Sequence, residues 1–417
     1  MENIVSKISR QNRTICLPIP KEVYSEQIMD ASQFRTIIDA FVIQHPELFP
    51  HEIKEGYQMK DLKKSKKLSV VIRRIEIQGV SFSIRPSFVL PYMTGFSSDV
   101  EGALFFRKFD VPFWALSSFF GKYPMYWYRI EQSFGRNSLV GTTIKTTENL
   151  PQHLSADEKH SKIGREKAYI ATTVGSQCIL GTSVTTSVSE EALTDAYGVF
   201  QKEAQTLLPD YTPKTVNLDG WQPTHLTWKT IFPLVSIIQC FLHIFIKMRD
   251  RGKKKHKTLF EETATKLWNC YDAETKTSFV QRVRRLHEWS IQEQLPSVFS
   301  KPIDKLRKQI GRFKIAYDFP QSHRTSNMLD RLMQRMDRHL FANQYFHGTF
   351  ESAELNIRGW ALLYNFAPSN PYIVKKYQGL QSPAERVNGF RYHDSWLQNL
   401  LVSASLGGNY PPSLKTG

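Results

Sequence analysis

The order of apolar and polar positions divides this chain into stretches of different period. From Leu68 to Leu90 it is rich in β-branched and aromatic residues and reads as strand, with Gly79 placed to turn a hairpin. Phe113 to Phe120 is an apolar helix. A turn at Gly121-Lys122-Tyr123 leads to a second helix that opens on Pro124, a favoured first helical position, and runs through Tyr126, Trp127, Arg129 and Ile130. HLSADEKH, 153–160, reads as a strand ending on Asp157, and 168–174 and 178–185 form a hairpin across Gly175-Ser176-Gln177. Apolar residues at 192, 193, 196, 199, 200, 204, 207 and 208 draw a helical stripe that stops before Pro209. A short apolar run, Val216 to Leu218, then ends on Asp219.

A helix from Thr224 to Ile231 follows, and a second apolar run, Leu234 to Ile246, carries Cys240 and His243. From Lys247 to about Phe319 only helical periodicity is present. The stretch 322–341 is a further helix, with Asn327 as its N-cap and a buried stripe of Leu329, Leu332, Met333, Met336 and Leu340. Residues 1 to about 67 mix short helical patterns with turn signals such as HPELFP and carry no legible function. The end of the chain from Asn409 reads as a loose tail.

Composition narrows the class. With 417 residues, 41% of them hydrophobic and 23% charged, the chain has length for two or three globular domains. A formal charge of +16 favours a polyanionic partner, nucleic acid before an anionic membrane, because basic residues gain affinity by releasing phosphate counterions. Three basic clusters, 247–257, 282–289 and 301–314, fall within the helical stretch and suit a phosphate-tracking surface. Arg73, Arg74 and Arg85 read as a solvated sheet face. Four cysteines with no close pair exclude a disulfide framework and a Cys-rich zinc site. Ile231 to Ile246 is too short at 16 residues, and too interrupted by polar residues, to span a bilayer. The first residues lack the apolar core of a signal peptide.

The candidate chemistry lies where an acid ends a buried strand. Asp219-Gly220-Trp221 places a carboxylate at a strand's C-terminal lip, where α/β proteins present ligands to a crevice. This stretch, its connecting helix and Cys240-Phe241-Leu242-His243 resemble the middle of insertion-sequence and Mutator-like transposases, the DDE/D enzymes. Ser326-Asn327 with Asp330 three residues on, and Asn365-Phe366 followed by Ser382-Pro383-Ala384-Glu385, continue the resemblance, which covers roughly residues 110 to 390.

The resemblance implies a multi-domain α/β fold: a ribonuclease H-like mixed β-sheet flanked by helices, interrupted by an all-α insertion and preceded by an N-terminal α+β region. The expected division is 1–105 for that region, 106–145 for a helix-turn-helix-like DNA-binding segment and 146–250 for the first part of the catalytic domain. Residues 251–319 would form the basic helical insertion, 320–390 the closing helices and 391–417 a C-terminal tail. For 106–145 a plain αα-hairpin inside a larger domain is the alternative.

It also implies a site. Asp157 on the first strand, Asp219 on the fourth and Asp330 on the final helix, where most relatives carry Glu, would hold two Mg²⁺ ions, with Mn²⁺ as substitute. His243 would act near the scissile phosphate or behind the metals, and reads equally as a satisfied core histidine; Cys240 reads as a small buried hydrophobe. Because Asn-x-x-Asp is also a capping-box arrangement, Glu351 and Glu354 stand as substitutes for Asp330. The implied reaction is strand cleavage and transfer at the ends of a mobile element. The implied partners are double-stranded DNA, at the element ends and the target, and a second copy of the chain. No membrane is involved, and the expected location is cytoplasmic, on the nucleoid. The rival readings are a transposase-derived DNA-binding protein without activity and a ribonuclease H-like nuclease without transfer.

Overall fold

The computed structural model describes residues 13–409, which build a mixed α/β structure with two mixed sheets. The tail expected beyond Asn409 lies outside the described residues. In the N-terminal region β1 (Thr14–Leu17) is followed by α1 (Lys21–Gln27), α2 (Ala31–Gln44), β2 (Gln58–Lys64), β3 (Val71–Ile77) and β4 (Val80–Pro86). The sheet order is β1-β4-β3-β2. Gln78 and Gly79, both at positive φ, make the tight hairpin that joins β3 to β4, a backbone twist that suits paired strands. Two of the three arginines read as a solvated face are buried. Arg73 donates through Nε to the Ile28 carbonyl at 3.0 Å and Arg85 through Nη1 to the Val89 carbonyl at 2.9 Å; only Arg74 faces outward, paired with Asp61. Arg73 satisfies a carbonyl at a helix C-terminus and Arg85 one in the turn beyond β4, uses that alternation alone does not reveal.

Next come α3 (Glu101–Arg107), α4 (Phe113–Phe120), α5 (Pro124–Phe134) and α6 (Leu139–Thr143). The second sheet follows: β5 (His153–Ile163), β6 (Glu166–Gly175), β7 (Cys178–Thr185), α7 (Glu190–Leu207), β8 (Thr215–Leu218), α8 (Gln222–Ile231) and β9 (Ser236–Gln239). Its order is β7-β6-β5-β8-β9; β5, β8 and β9 run parallel, and β6 is antiparallel to both its neighbours. One face packs on α7 and α8, where Tyr197 and Phe200 meet Trp228 with ring centroids 5.4 and 6.2 Å apart.

The helical stretch consists of α9 (Leu242–Gly252), α10 (Lys257–Tyr271), α11 (Lys276–Gln292), α12 (Ser297–Lys308) and α13 (Ile310–Lys314), which share a core of their own around Phe241, Phe279 and Phe299. α14 (Asn327–Ala342) and α15 (Phe350–Phe366) return to the other face of the second sheet, followed by α16 (Pro371–Lys376), α17 (Pro383–Asn388) and α18 (Trp396–Ser403). Leu397, Leu400 and Leu401 of α18 are buried, so the segment assigned to a tail from 391 contains a core helix. Among the described residues no helix is long and apolar enough to cross a membrane.

The α4–α5 hairpin is built into the body of the molecule. Trp127, Ile130, Glu131 and Phe134 are buried, and Gln132 donates to the Ser352 carbonyl of α15 at 3.0 Å. The two helices touch backbone to backbone. A Cβ on Gly359 would lie 2.1 Å from the Glu131 carbonyl oxygen, and one on Gly135 would lie 1.9 Å from that of Leu355. Gly359→Ala is therefore expected to cost about 1–3 kcal/mol, since a packed interface yields little to an added methyl. The midpoint of urea unfolding measures it, and an unchanged midpoint would show that the helices can part freely.

Candidate active site

The strand register creates the site. β5 pairs with β8 only from His153 to Ser155, opposite Thr215 to Asn217, and then continues alone against β6 to Ile163. Asp157 and Asp219 each lie two positions beyond the last pair, where β8 stops and leaves the flank of β5 open. The strand expected to end on Asp157 thus runs six residues past it. Asp157 still stands at the crevice, because the crevice is set by the end of β8. Alternation sends neighbouring acids to opposite faces. Glu158 accepts from the hydroxyls of Tyr197 at 2.8 Å and Thr224 at 2.7 Å on the α7–α8 face, while Asp157 and Lys159 face α14.

Asp219 follows β8 directly. Its Oδ1 accepts the Trp221 N–H at 2.7 Å, and Gly220 turns at φ +88° where a Cβ would meet the Gln239 amide at 2.4 Å. Close approach and a left-handed φ together require glycine there. The apolar run 234–246 divides: β9 ends at Gln239, and α9 begins at Leu242, which puts His243 in its first turn. Cys240 is buried between the two. Its Sγ accepts the Ser326 N–H at 3.2 Å, and the Phe241 N–H donates to the Arg324 carbonyl at 3.1 Å.

These contacts fasten the end of β9 to the start of α14. Ser326, not Asn327, is the cap position there, and Asn327 is the first helical residue. The Ser326 hydroxyl donates to Asp330 Oδ2 at 2.9 Å. Cys240 and Ser326 therefore aim the third acid, a role the sequence signals only through the Ser-Asn pair and the spacing of Cys-x-x-His. In place of the capping box, Asp330 Oδ2 is bound by the side chain of the cap residue.

The outcome is a convergence of distant residues. One ligand atom each from Asp157, His243 and Asp330 lies within 4.8 Å of the others. Asp219 stands outside that closest group, near enough for its charge to act on both Asp157 and His243. The two substitutes for the third acid lie elsewhere: Glu354 accepts the Val184 N–H on the edge strand β7 at 2.5 Å, and Glu351 is exposed at the start of α15.

Electrostatics mark the group as short of positive charge. Burial, helped by the charges of Glu158, Asp219 and Asp330 and opposed by the Glu158 N–H, pushes the Asp157 carboxyl up to about 8. Burial holds His243 below its usual range against the pull of Asp219 and Asp330, and its buried Nδ1 has no hydrogen-bond partner. Carboxylate oxygens joined by a neutral imidazole with an open nitrogen fit a divalent cation, Mg²⁺ through the oxygens and Mn²⁺ through both donor types.

A pH dependence follows. Because the folded pKa of Asp157 lies above its unfolded value of roughly 3.9, its ionisation opposes folding as pH climbs from about 4 to 8. In EDTA, Asp157→Asn is expected to lose less stability than wild type across that window, measured by thermal unfolding at a series of pH values. Parallel pH profiles would contradict the burial of this carboxyl.

Cations surround the acids at a longer range. Lys305, itself lowered first by burial, feels Lys247 and Asp219 together, and both lysines act on His243. A cleft of about 530 Å³ runs from Asp157 and Asp330 past Arg249 and Arg331. It shares Asn327 and Arg331 with a second cleft of about 710 Å³ that carries Arg335, Lys376, Arg386 and Tyr372.

Comparison with the models of known protein families gives no match for this chain, and comparison with curated proteins gives none.

Proposed function

We propose that this chain is a metal-dependent DNA transposase whose second sheet is a ribonuclease H-like catalytic core. The observation that carries the reading is the meeting of Asp157, Asp330 and His243, drawn from a central strand, a returning helix and the helix after β9, with Asp219 at the end of the adjacent parallel strand. Further support comes from the strand order, which numbered from β5 is 3-2-1-4-5 with the second strand reversed, and from the position of the helical insertion between its fifth strand and α14.

Divalent cations held by Asp157, Asp219 and Asp330 would activate the attacking oxygen and stabilise the departing one in an in-line exchange of phosphodiester bonds. The protein's own part is placement. Ser326 and Cys240 fix the Asp330 carboxylate, the Gly220 turn fixes Asp219, and the pairing with β6 fixes Asp157. His243 brings a neutral imidazole beside the scissile phosphate. Lys247 and Lys305 on the insertion side, and Arg331 and Arg335 along the clefts, neutralise the strand leading to and from that phosphate. Linear DNA carrying the element's ends, incubated with the chain and Mg²⁺, tests the reading. Joined products are the expected result. Nicks without joining would leave a nuclease, and neither product would leave a DNA-binding protein.

A further inference from the structure

A separate cavity of about 630 Å³ opens between the β2–β3 hairpin, the turn after β4 and the C-terminal helix α18. None of its residues lines the carboxylate clefts. Its rim carries Lys63, Lys64, Lys66 and Lys67, and no acidic residue lines it. Arg85 also lines this cavity and adds a guanidinium to its charge; it is 7% exposed and anchored by its Nη1 donation to the Val89 carbonyl.

Tyr92 lines the cavity too. It is 54% exposed, and its ring centroid lies 5.2 Å from the Arg136 guanidinium, which donates to its hydroxyl at 3.1 Å. Tyr92 and Met93 both sit at left-handed φ, 59° and 56°, a strain that ordinary residues tolerate only where surrounding structure imposes it. Ile72, Leu401 and Ala404 give the cavity apolar wall.

This combination selects among anions. Free phosphate would use the lysines and leave the apolar wall and the exposed ring idle. A duplex keeps its bases stacked inside and would touch only the rim. An unpaired nucleotide within a strand offers both parts: phosphates for the lysines and Arg85, and a flat base for Tyr92 and Met93. We infer that this cavity is a binding site for single-stranded nucleic acid, with its backbone across the lysine hairpin and a base against Tyr92.

Fluorescence anisotropy with a labelled strand of about 12 nucleotides, a blunt duplex of the same length and, as competitor, vesicles containing phosphatidylserine tests the inference. EDTA in the buffer, and a background chain carrying Arg331→Ala, Arg335→Ala and Lys376→Ala, which line the two clefts, separate this site from them. In that background the single strand is expected to bind at least about tenfold tighter than the blunt duplex at about 0.15 M salt. The combined substitution Lys63→Ala, Lys64→Ala, Lys66→Ala and Lys67→Ala changes only exposed side chains. It should cost about tenfold or more and make the log–log salt dependence shallower by about 2 to 3. Tyr92→Asn, which tolerates the left-handed backbone, should cost about fivefold or more and leave the salt dependence alone. In that background, equal affinity for strand and duplex, unchanged strand binding by the lysine variant, or a loss confined to vesicle binding would each overturn it.

Discussion

Asp219→Ala is expected to lose strand cleavage and joining by about 10³-fold or more, some 4 kcal/mol of transition-state stabilisation, while its affinity for end-containing DNA stays within about twofold. The reasoning is local. Asp219 follows the end of β8; its Oδ1 accepts the Trp221 N–H, but the pairing of β8 with β9 and the Gly220–Gln239 packing remain when that one bond is lost. Removal therefore takes away a carboxylate whose charge acts on Asp157 and His243 with little effect on the fold. On the proposed reading, DNA affinity would rest on the lysines and arginines of the clefts and the insertion, which the substitution does not touch. Turnover within about tenfold of wild type would remove Asp219 from the machinery.

The second large effect concerns stability. Glu131→Ala is expected to destabilise the protein by about 3–5 kcal/mol, the usual result of breaking a buried ion pair from one side. Arg107 Nε donates to Glu131 Oε2 at 2.7 Å, and both side chains are fully buried. Asn356 Nδ2 donates to Glu131 Oε1 at 3.1 Å, and Arg107 Nη2 meets His339 Nδ1 at 3.2 Å. Burial and then the Arg107 charge push His339 well below its usual range, so the ring is neutral and accepts from Arg107. This network ties α3 and α5 to α14 and α15, and α14 carries Asp330. Urea unfolding of Glu131→Ala should show the loss. The double substitution Arg107→Met with Glu131→Leu should recover most of it, because it leaves no charge stranded. A single variant that unfolds with wild type would contradict the network.

What the sequence made legible follows from local physics. The β3–β4 and β6–β7 hairpins were readable because a turn residue interrupts a period of two. The helices from Phe113 and Pro124 were readable because Pro124 and Gly121 mark their ends. The α14 stripe was readable except for His339, a polar residue on the buried face; besides Asn343 one turn on, its partners Asn356 and Arg107 lie 17 and 232 positions away. The N-terminal sheet was only half legible. β1 is four residues long and β2 is almost wholly exposed and lysine-rich, so neither shows an apolar alternation.

The acids themselves were named in sequence, but not what aims them. Ser326 and Cys240 lie 86 positions apart, and nothing local announces that one bonds the other. The length of β5 was missed although its cause is local: beyond the two-residue turn at Gly164 and Arg165 the chain returns as β6 and pairs with β5 as far as Ile163. The open flank at Asp157 depends instead on where β8, 62 residues downstream, stops pairing.

Calorimetric titration of Mn²⁺ into wild type and into the Asp157→Asn, Asp330→Asn double variant bears most directly on the convergence of these side chains. Binding to wild type that weakens by about a hundredfold or more in the variant is the predicted result. Indistinguishable isotherms would mean that the two carboxylates, however close, hold no metal.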